Sequence, residues 1–416
     1  MTTVTTKTKR RIILRISPYN RLSFPVLLNA WEQHHIDNEF AIIIRESPLS
    51  PGETRTGDVL LYSFMTPFLP DVHAEIKEIK QTKQDILIAG GGPHITGEQE
   101  LSSQIGFDTL FIGPGEGNFL QFGRDLLDNR PLPGQYIYRD DENGDDFNRY
   151  LPISKQHMGT IPPLEIMRGC RWHCRYCSTH LHNTRFRDMV SIDAYLRAMK
   201  EKNICRINFI SPSSMEFGAA GARQVNLARI AELLELTGSY GFRFVEYGIF
   251  PSEIRPDTVT DEGMALLKKH VSHKYVTLGA QSGVNTRLKE LGRGHTTEDI
   301  EAAAAIVNAN GFSAYLDFIV GCPDETPEER RATIEFIKRL GKKYRVRAHL
   351  HHFIPVSGSP YTYRFPSFLC EAEREQLRKL RSAGIASDGW VSNEKRAAQY
   401  MAWLKNHFPD YYARFH

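Results

Sequence analysis

Three thiols crowd one short stretch of this chain, Cys170-x-x-x-Cys174-x-x-Cys177. Thiolates are the usual ligands of iron–sulfur clusters. Three of them leave one iron of a four-iron cluster without a protein ligand. An open coordination position is where substrate or cofactor chemistry takes place, as at open zinc sites. Zinc is a competing metal, with His173 or His180 available as a fourth ligand, and inert burial of the thiols is a third reading. Cys205, Cys322 and Cys370 are scattered, so there is no secreted disulfide framework. Cys322 reads as small core filler.

A second candidate lies upstream, in the loops Gly90-Gly91-Gly92-Pro93-His94 and Gly113-Pro114-Gly115-Glu116-Gly117. Glycine lets backbone approach a cofactor closely because it has no Cβ. Neither loop fits G-x-G-x-x-G, which argues against a nicotinamide or flavin site.

The elements that must position these residues alternate. Strands are predicted over 12–16, 40–44, 59–63, 86–89 and 109–112, with helices over 22–34, 69–80 and 119–127. Such alternation implies a doubly wound parallel sheet, whose ligands sit at the carboxyl ends of the strands. Residues 129–162, rich in proline and carrying the acidic run Asp140-Asp141-Glu142, read as a linker with a hairpin near 136–138. A second series follows, with strands over 164–167, 206–210, 242–247, 275–278, 314–320 and 348–353. Helices are predicted near 192–202, 223–238, 260–270, 297–310 and 327–343. Six such units suit a partial barrel, with its chemistry at the strand C-termini. The fold class expected is therefore α/β: a Rossmann-like lobe (1–128), a linker (129–162), a partial (β/α)6 barrel (163–365) and a small helical cap (366–416).

Composition narrows the function. The 416 residues carry a formal net charge of only +3, without the basic bias of a dedicated nucleic-acid binder. No apolar run approaches a membrane span, and the polar start Met1 to Arg10 lacks a signal-peptide core. A cytoplasmic enzyme with no nucleic-acid or membrane partner is expected. Residues 168–206 hold nine Lys/Arg against three Asp/Glu, a bias that suits anionic ligands or simply a solvated helix face.

The cysteine spacing, with Tyr176 before the last thiol, resembles the radical S-adenosylmethionine (SAM) superfamily. That resemblance implies a 4Fe-4S cluster on Cys170, Cys174 and Cys177, with SAM chelated by the open iron and cleaved reductively to a 5′-deoxyadenosyl radical. It also implies a ferredoxin- or flavodoxin-like reductant as partner. Further segments resemble the family's cofactor contacts. Leu278 to Gly283, with Gln281 and Ser282, is similar to the segment near the SAM ribose and carboxylate. Arg293 is similar to the basic residue that follows it. Ile319 to Thr326, with Val320, resembles the segment near adenine, and His352 to Pro360 the sixth-strand ending. Where many members carry Gly-Gly-Glu after the second strand, this chain has Ser211-Pro212-Ser213-Ser214-Met215-Glu216; Ser211 and Ser213 offer hydrogen bonds and Glu216 a carboxylate.

With such a barrel, the paired glycine loops resemble the cobalamin-dependent radical SAM family, over about residues 11–360. The resemblance implies cobalamin against Ser63, Gly90, Gly91, Gly92, Gly113, Glu116 and Gly117, with His94 at the corrin rim. The loop after the first strand, Ser17-Pro18-Tyr19-Asn20-Arg21-Leu22, lacks the histidine that ligates cobalt in many cobalamin proteins. Tyr19, Asn20, Arg21 and Met65 to Phe68 are then candidates for the lower face. The implied activity is C-methylation: one SAM methylates cob(I)alamin, a second supplies the radical, and the substrate radical takes the methyl group. A non-methylating ring closure or rearrangement and a cobalamin-binding sensor are the alternatives. Protein, peptide and small-molecule substrates all occur in the family. The short length and small cap resemble archaeal members, which implies a glutamine carbon in a protein such as methyl-coenzyme M reductase. His173, His180 and His182 are substrate-side acid–base candidates or plain surface histidines.

Overall fold

The computed structural model describes residues 9–18, 20–82, 85–138 and 145–416, and the chain divides into two compact units between Pro162 and Pro163. Tyr19 and the acidic run 140–142 lie outside the described residues.

The first unit is a six-stranded parallel sheet. Its strands are β1 (Arg11–Arg15), β2 (Ala41–Arg45), β3 (Val59–Ser63), β4 (Leu87–Gly91), β5 (Thr109–Ile112) and β6 (Gln135–Ile137), in the order β2-β1-β3-β4-β5-β6. The run Val-Leu-Leu-Tyr-Ser of β3 is buried throughout, as expected of a strand covered on both faces. Helix Leu69–Lys80 has the predicted bounds, opened by Pro70 in its first turn. Trp31, on helix Phe24–Gln33, stacks on Phe119 at 4.2 Å and donates its indole N–H to the Phe119 carbonyl. The strand order reverses between β1 and β3, so the loops after these strands flank the crevice where open α/β sheets bind ligands.

The predicted linker is part of this unit. Its strand β6 pairs parallel to β5, not as a hairpin. Asn29 donates to the Ile153 carbonyl at 2.9 Å, Ser154 to Glu32 at 2.6 Å, and Tyr150 is fully buried. Proline content marked an irregular path there, but long-range hydrogen bonds tie it down.

The second unit holds β7 (Leu164–Glu165), β8 (Met167–Arg168), β9 (Arg185–Phe186), β10 (Arg206–Ile210), β11 (Phe244–Glu246), β12 (Tyr275–Gln281), β13 (Ser313–Val320) and β14 (Val346–His352). Two parallel sheets, β11-β10-β7 and β12-β13-β14, are joined by a bridge between Ile254 and Leu278, completing the six-unit partial barrel. The expected strand over 164–167 is split. Its first half pairs with β10, and its second half leaves to pair antiparallel with β9. Helices Thr297–Ala309 and Pro327–Lys343 start where capping boxes at Thr296/Asp299 and Thr326/Glu329 satisfy their first N–H groups. The cap consists mainly of helices Glu371–Ser382 and Gly389–His407, the second packed on β14 and burying Trp390. Among the described residues no helix is long and apolar enough to cross a membrane.

Candidate functional site

The cysteine loop is an excursion between β8 and β9, closed at its base by pairing of Met167 with Phe186 and Arg168 with Arg185. Gly169 opens it at φ +72°, and a Cβ there would stand 2.3 Å from the His182 carbonyl oxygen. Only glycine allows that approach. Buried Arg187 anchors the return, donating to the Glu165 carbonyl and the Ser191 hydroxyl.

Within the loop Cys174 is buried and Cys170 and Cys177 are half-buried, all as free thiols. Burial, reinforced by Cys174 and Cys177, pushes the Cys170 thiol up to about 11. Thiols this shielded ionise when a cation arrives to pair with them. The Thr179 hydroxyl and N–H reach the Cys177 sulfur at 3.1 and 3.5 Å. No group of three or more His, Cys, Asp or Glu among the described residues is arranged around a single metal ion. Thiolates on a four-iron cluster bind separate irons, so they stand apart from one another.

Behind the thiols lies Arg293. Its guanidinium donates to the Cys174 sulfur at 3.5 Å, the Tyr176 hydroxyl at 3.2 Å and the Gly279 carbonyl at 2.8 Å. Burial alone would lower this guanidinium, but Tyr176 and Cys174 outweigh it and hold it as a cation. The turn carrying it runs against the loop: Arg175 N–H donates to the Leu291 carbonyl, and a Cβ on Gly292 would meet the His173 carbonyl at 3.0 Å.

Several buried polar atoms at the strand ends have no hydrogen-bond partner: Ser213 Oγ, Gln281 Oε1, Arg255 Nη1, Arg293 Nε and His295 Nδ1. Unsatisfied buried groups are costly and rare, so this concentration fits a polar cofactor. Gln281, beside a bulge in β12, has φ +63°, the left-handed strain that collects at functional sites. Burial and the neighbouring arginines Arg293 and Arg255 depress the His295 imidazole to about 2, keeping it neutral.

Not every predicted side chain joins this set. Ser282 is buried and accepts from Val284 N–H, while Ser211 donates to the Met167 sulfur. Glu216 is taken by Trp172 Nε1 and Arg223 N–H, which leaves it engaged within the protein. Val320 is a correction. It lies on the fully buried face of β13, and the half-exposed Ile319, on the other face, packs against the cluster of Leu291, Cys322, Phe353 and Tyr361, as Tyr176 does. One position of strand alternation separates the two. Cys322 is core filler, packed with Leu291, Phe353 and Tyr361. His173 and His180 face each other with ring centroids 5.3 Å apart, and burial lowers His180.

Arg255 and Trp172 escaped sequence reading. Arg255 lies 3.5 Å over the Trp172 ring, donates to the Arg293 carbonyl and pairs with Asp257. An aromatic inside the cysteine loop and an arginine after the third barrel strand, β11, were the available signals.

In the first unit most glycines serve internal packing. A Cβ on Gly90 would strike Ile95 and Phe107 within 2.8 Å, and one on Gly91 would press on Phe111 at 3.3 Å. Gly92, at φ +96°, would meet Ser63 Oγ at 2.8 Å, and Gly113 would meet Tyr138 at 3.0 Å. Glu116 is buried at the start of helix Glu116–Leu127, and Gly117 lines an open cleft of about 570 Å³ beside Arg124 and Tyr136. His94 is a second correction. It is fully buried, stacked on Phe64 and within 3.2 Å of the Thr66 hydroxyl, and burial lowers it to about 3. It faces the lobe interior, neither rim nor exposed loop. At the crevice between β1 and β3, Asn20 ties the loop to the Arg15 and Ser63 carbonyls, and Leu22 and Met65 present exposed apolar surface.

The Radical SAM superfamily model matches residues 164–337. An uncharacterized methyltransferase of Pyrococcus horikoshii is 25% identical over 69% of this chain and 65% of its own length, under two thirds of that relative. A tRNA-2-methylthio-N(6)-dimethylallyladenosine synthase of Cereibacter sphaeroides is 24% identical over 78% of this chain and 70% of its own. In fold the chain is similar to the radical SAM methyltransferase TsrM of Kitasatospora setae, solved with cobalamin and a 4Fe-4S cluster. The TM-score is 0.59 at 15% identity, covering 95% of this chain and 91% of that one. Residues 164–337 thus match the Radical SAM superfamily, and the loop holding Cys170, Cys174 and Cys177 lies within the matched stretch.

Proposed function

We propose that the protein is a cobalamin-dependent radical SAM methyltransferase that methylates an unactivated carbon. The observation that carries this reading is the union of a radical SAM domain with a parallel lobe in a fold similar to TsrM. A bound cluster would supply electrons for SAM cleavage, and bound cobalamin would supply the methyl group.

The chain's own residues have distinct parts in this reading. The three thiols hold the cluster. Arg293 keeps a positive charge against Cys174 and Tyr176. Ser213, Gln281 and Arg255 turn their free polar atoms to SAM. In the lobe the crevice at Ser63, Gly92, Leu22 and Met65 receives the corrin, its exposed apolar surface suited to a broad flat ring. The loop 17–22 contributes no histidine, so cobalt takes no imidazole from it.

The finer expectation, a glutamine carbon in a protein such as methyl-coenzyme M reductase, rests on chain length and the small cap. The test is anaerobic purification with cobalamin, then incubation with methyl-labelled SAM, a reductant and candidate substrates, including a peptide carrying that glutamine. A labelled methyl on carbon supports the reading. Turnover by corrin-free protein removes cobalamin from it, and a rearranged product without methyl replaces it by the non-methylating alternative.

A further inference from the structure

Trp172, between the first two thiols of the cysteine loop, touches groups from three other segments of the barrel. Its indole N–H donates to the Glu216 carboxylate, 3.2 and 3.0 Å from the two oxygens. Glu216 is buried beyond the end of β10 and also accepts from the Arg223 N–H at 2.7 Å. Arg255, which follows β11, lies 3.5 Å over the indole ring, and the Arg223 guanidinium lies 5.6 Å from it. Gly294 makes room for this ring. At φ +72°, a Cβ there would stand 2.9 Å from Trp172 Cζ3.

Arg255 is the side chain that this arrangement constrains. It is 3% exposed, and burial, then the Arg293 guanidinium, lowers it, while Asp257 opposes both. Its Nε and Nη2 donate to the two Asp257 oxygens at 3.1 Å each, and Nη2 donates also to the Arg293 carbonyl. A fork of this kind fixes the guanidinium within its own plane. Stacking on an aromatic face fixes the tilt of that plane. The face also attracts a buried cation that stands near a second one. Glu216, accepting from the indole N–H, polarises the ring and strengthens that attraction. What remains is Nη1, buried and without a partner.

We propose that Trp172 is a positioning residue for SAM: stacked on Arg255 and tied to Glu216, it aims the Arg255 Nη1 donors at the SAM carboxylate. The proposal rests on the reading of Arg255 as a SAM contact. A guanidinium edge seeks an anion, and the carboxylate is the anionic group that SAM carries. The loop that holds the thiols thereby also orients the arginine.

The test uses full-length, anaerobically reconstituted protein, with SAM affinity read by calorimetry without reductant. Trp172→Leu removes the ring face and should weaken SAM binding about tenfold, as should Arg255→Lys. The double variant should bind no more weakly than either single one, because Trp172 acts through Arg255. Trp172→Phe keeps a ring face and should recover most of the affinity at wild-type iron content. Losses that add in the double variant, or wild-type affinity in Trp172→Leu, overturn the proposal. If Trp172→Leu does not fold or take up iron, Glu216→Gln decides. It should weaken binding when Arg255 is present and leave Arg255→Lys unchanged, and equal weakening in both backgrounds overturns the proposal. A wild type that holds its cluster and binds no SAM counts against the proposed function, whereas binding with additive losses counts against Trp172 alone.

Discussion

Glycines at strand ends do different work in the two units. In the parallel lobe, Gly90 and Gly91 make room for Ile95, Phe107 and Phe111 of the same lobe. In the barrel, Gly169, Gly292 and Gly321 let backbone or imidazole pack closely around a site that still holds unsatisfied buried atoms. A glycine loop is thus a statement about close approach, and the packing shows what approaches. The barrel site holds buried polar atoms with no protein partner, while the lobe's glycine loops are largely closed on themselves.

The largest expected effect is at the cluster loop. Cys174→Ala should abolish both the visible iron–sulfur absorbance and 5′-deoxyadenosine formation in reconstituted protein. Retention of either would reassign the loop. Next, Arg293→Lys keeps the charge but cannot donate in the same fork to Cys174, Tyr176 and Gly279. Cleavage should fall about 10- to 100-fold, as for residues supporting metal ligands. An unchanged rate would make Arg293 a bystander.

The lobe answers through stability. Gly92→Ala forces a Cβ against Ser63 and Phe64 at φ +96°, which should cost about 1–3 kcal/mol, read as a lower melting temperature with SAM cleavage retained. A loss of cleavage without loss of stability would contradict the division of labour. The smallest effect concerns Glu325, buried and accepting from Gly321 N–H, with its carboxyl raised from 4.5 to about 7 mainly by burial. A raised carboxyl stabilises the fold while protonated, so its contribution is complete below pH 4.5 and is lost as pH rises through 7. Glu325→Gln should flatten the fall in stability over that window by about 1 kcal/mol, an unfolding measurement across pH being the check.

Much of the fold was legible because local signals were strong. The bounds of Leu69–Lys80 and Pro327–Lys343 follow from proline and capping residues. The thiols were legible because their spacing is local. The packing of Arg255 on Trp172 was not, because it joins residues far apart in sequence that no local pattern links. Val320 shows the same limit in miniature: alternation defines two faces of β13, and only packing tells which one looks inward. His94 was misplaced because a loop histidine reads as exposed until Phe64 and Thr66 are seen to enclose it.

The central claim is that residues 164–337 cleave SAM at a cluster held by Cys170, Cys174 and Cys177. The most direct measurement is 5′-deoxyadenosine released from SAM by the reconstituted, chemically reduced protein. Time-dependent release that needs both iron and reductant is the predicted result. A protein with its cluster intact that binds SAM and releases none would contradict the account.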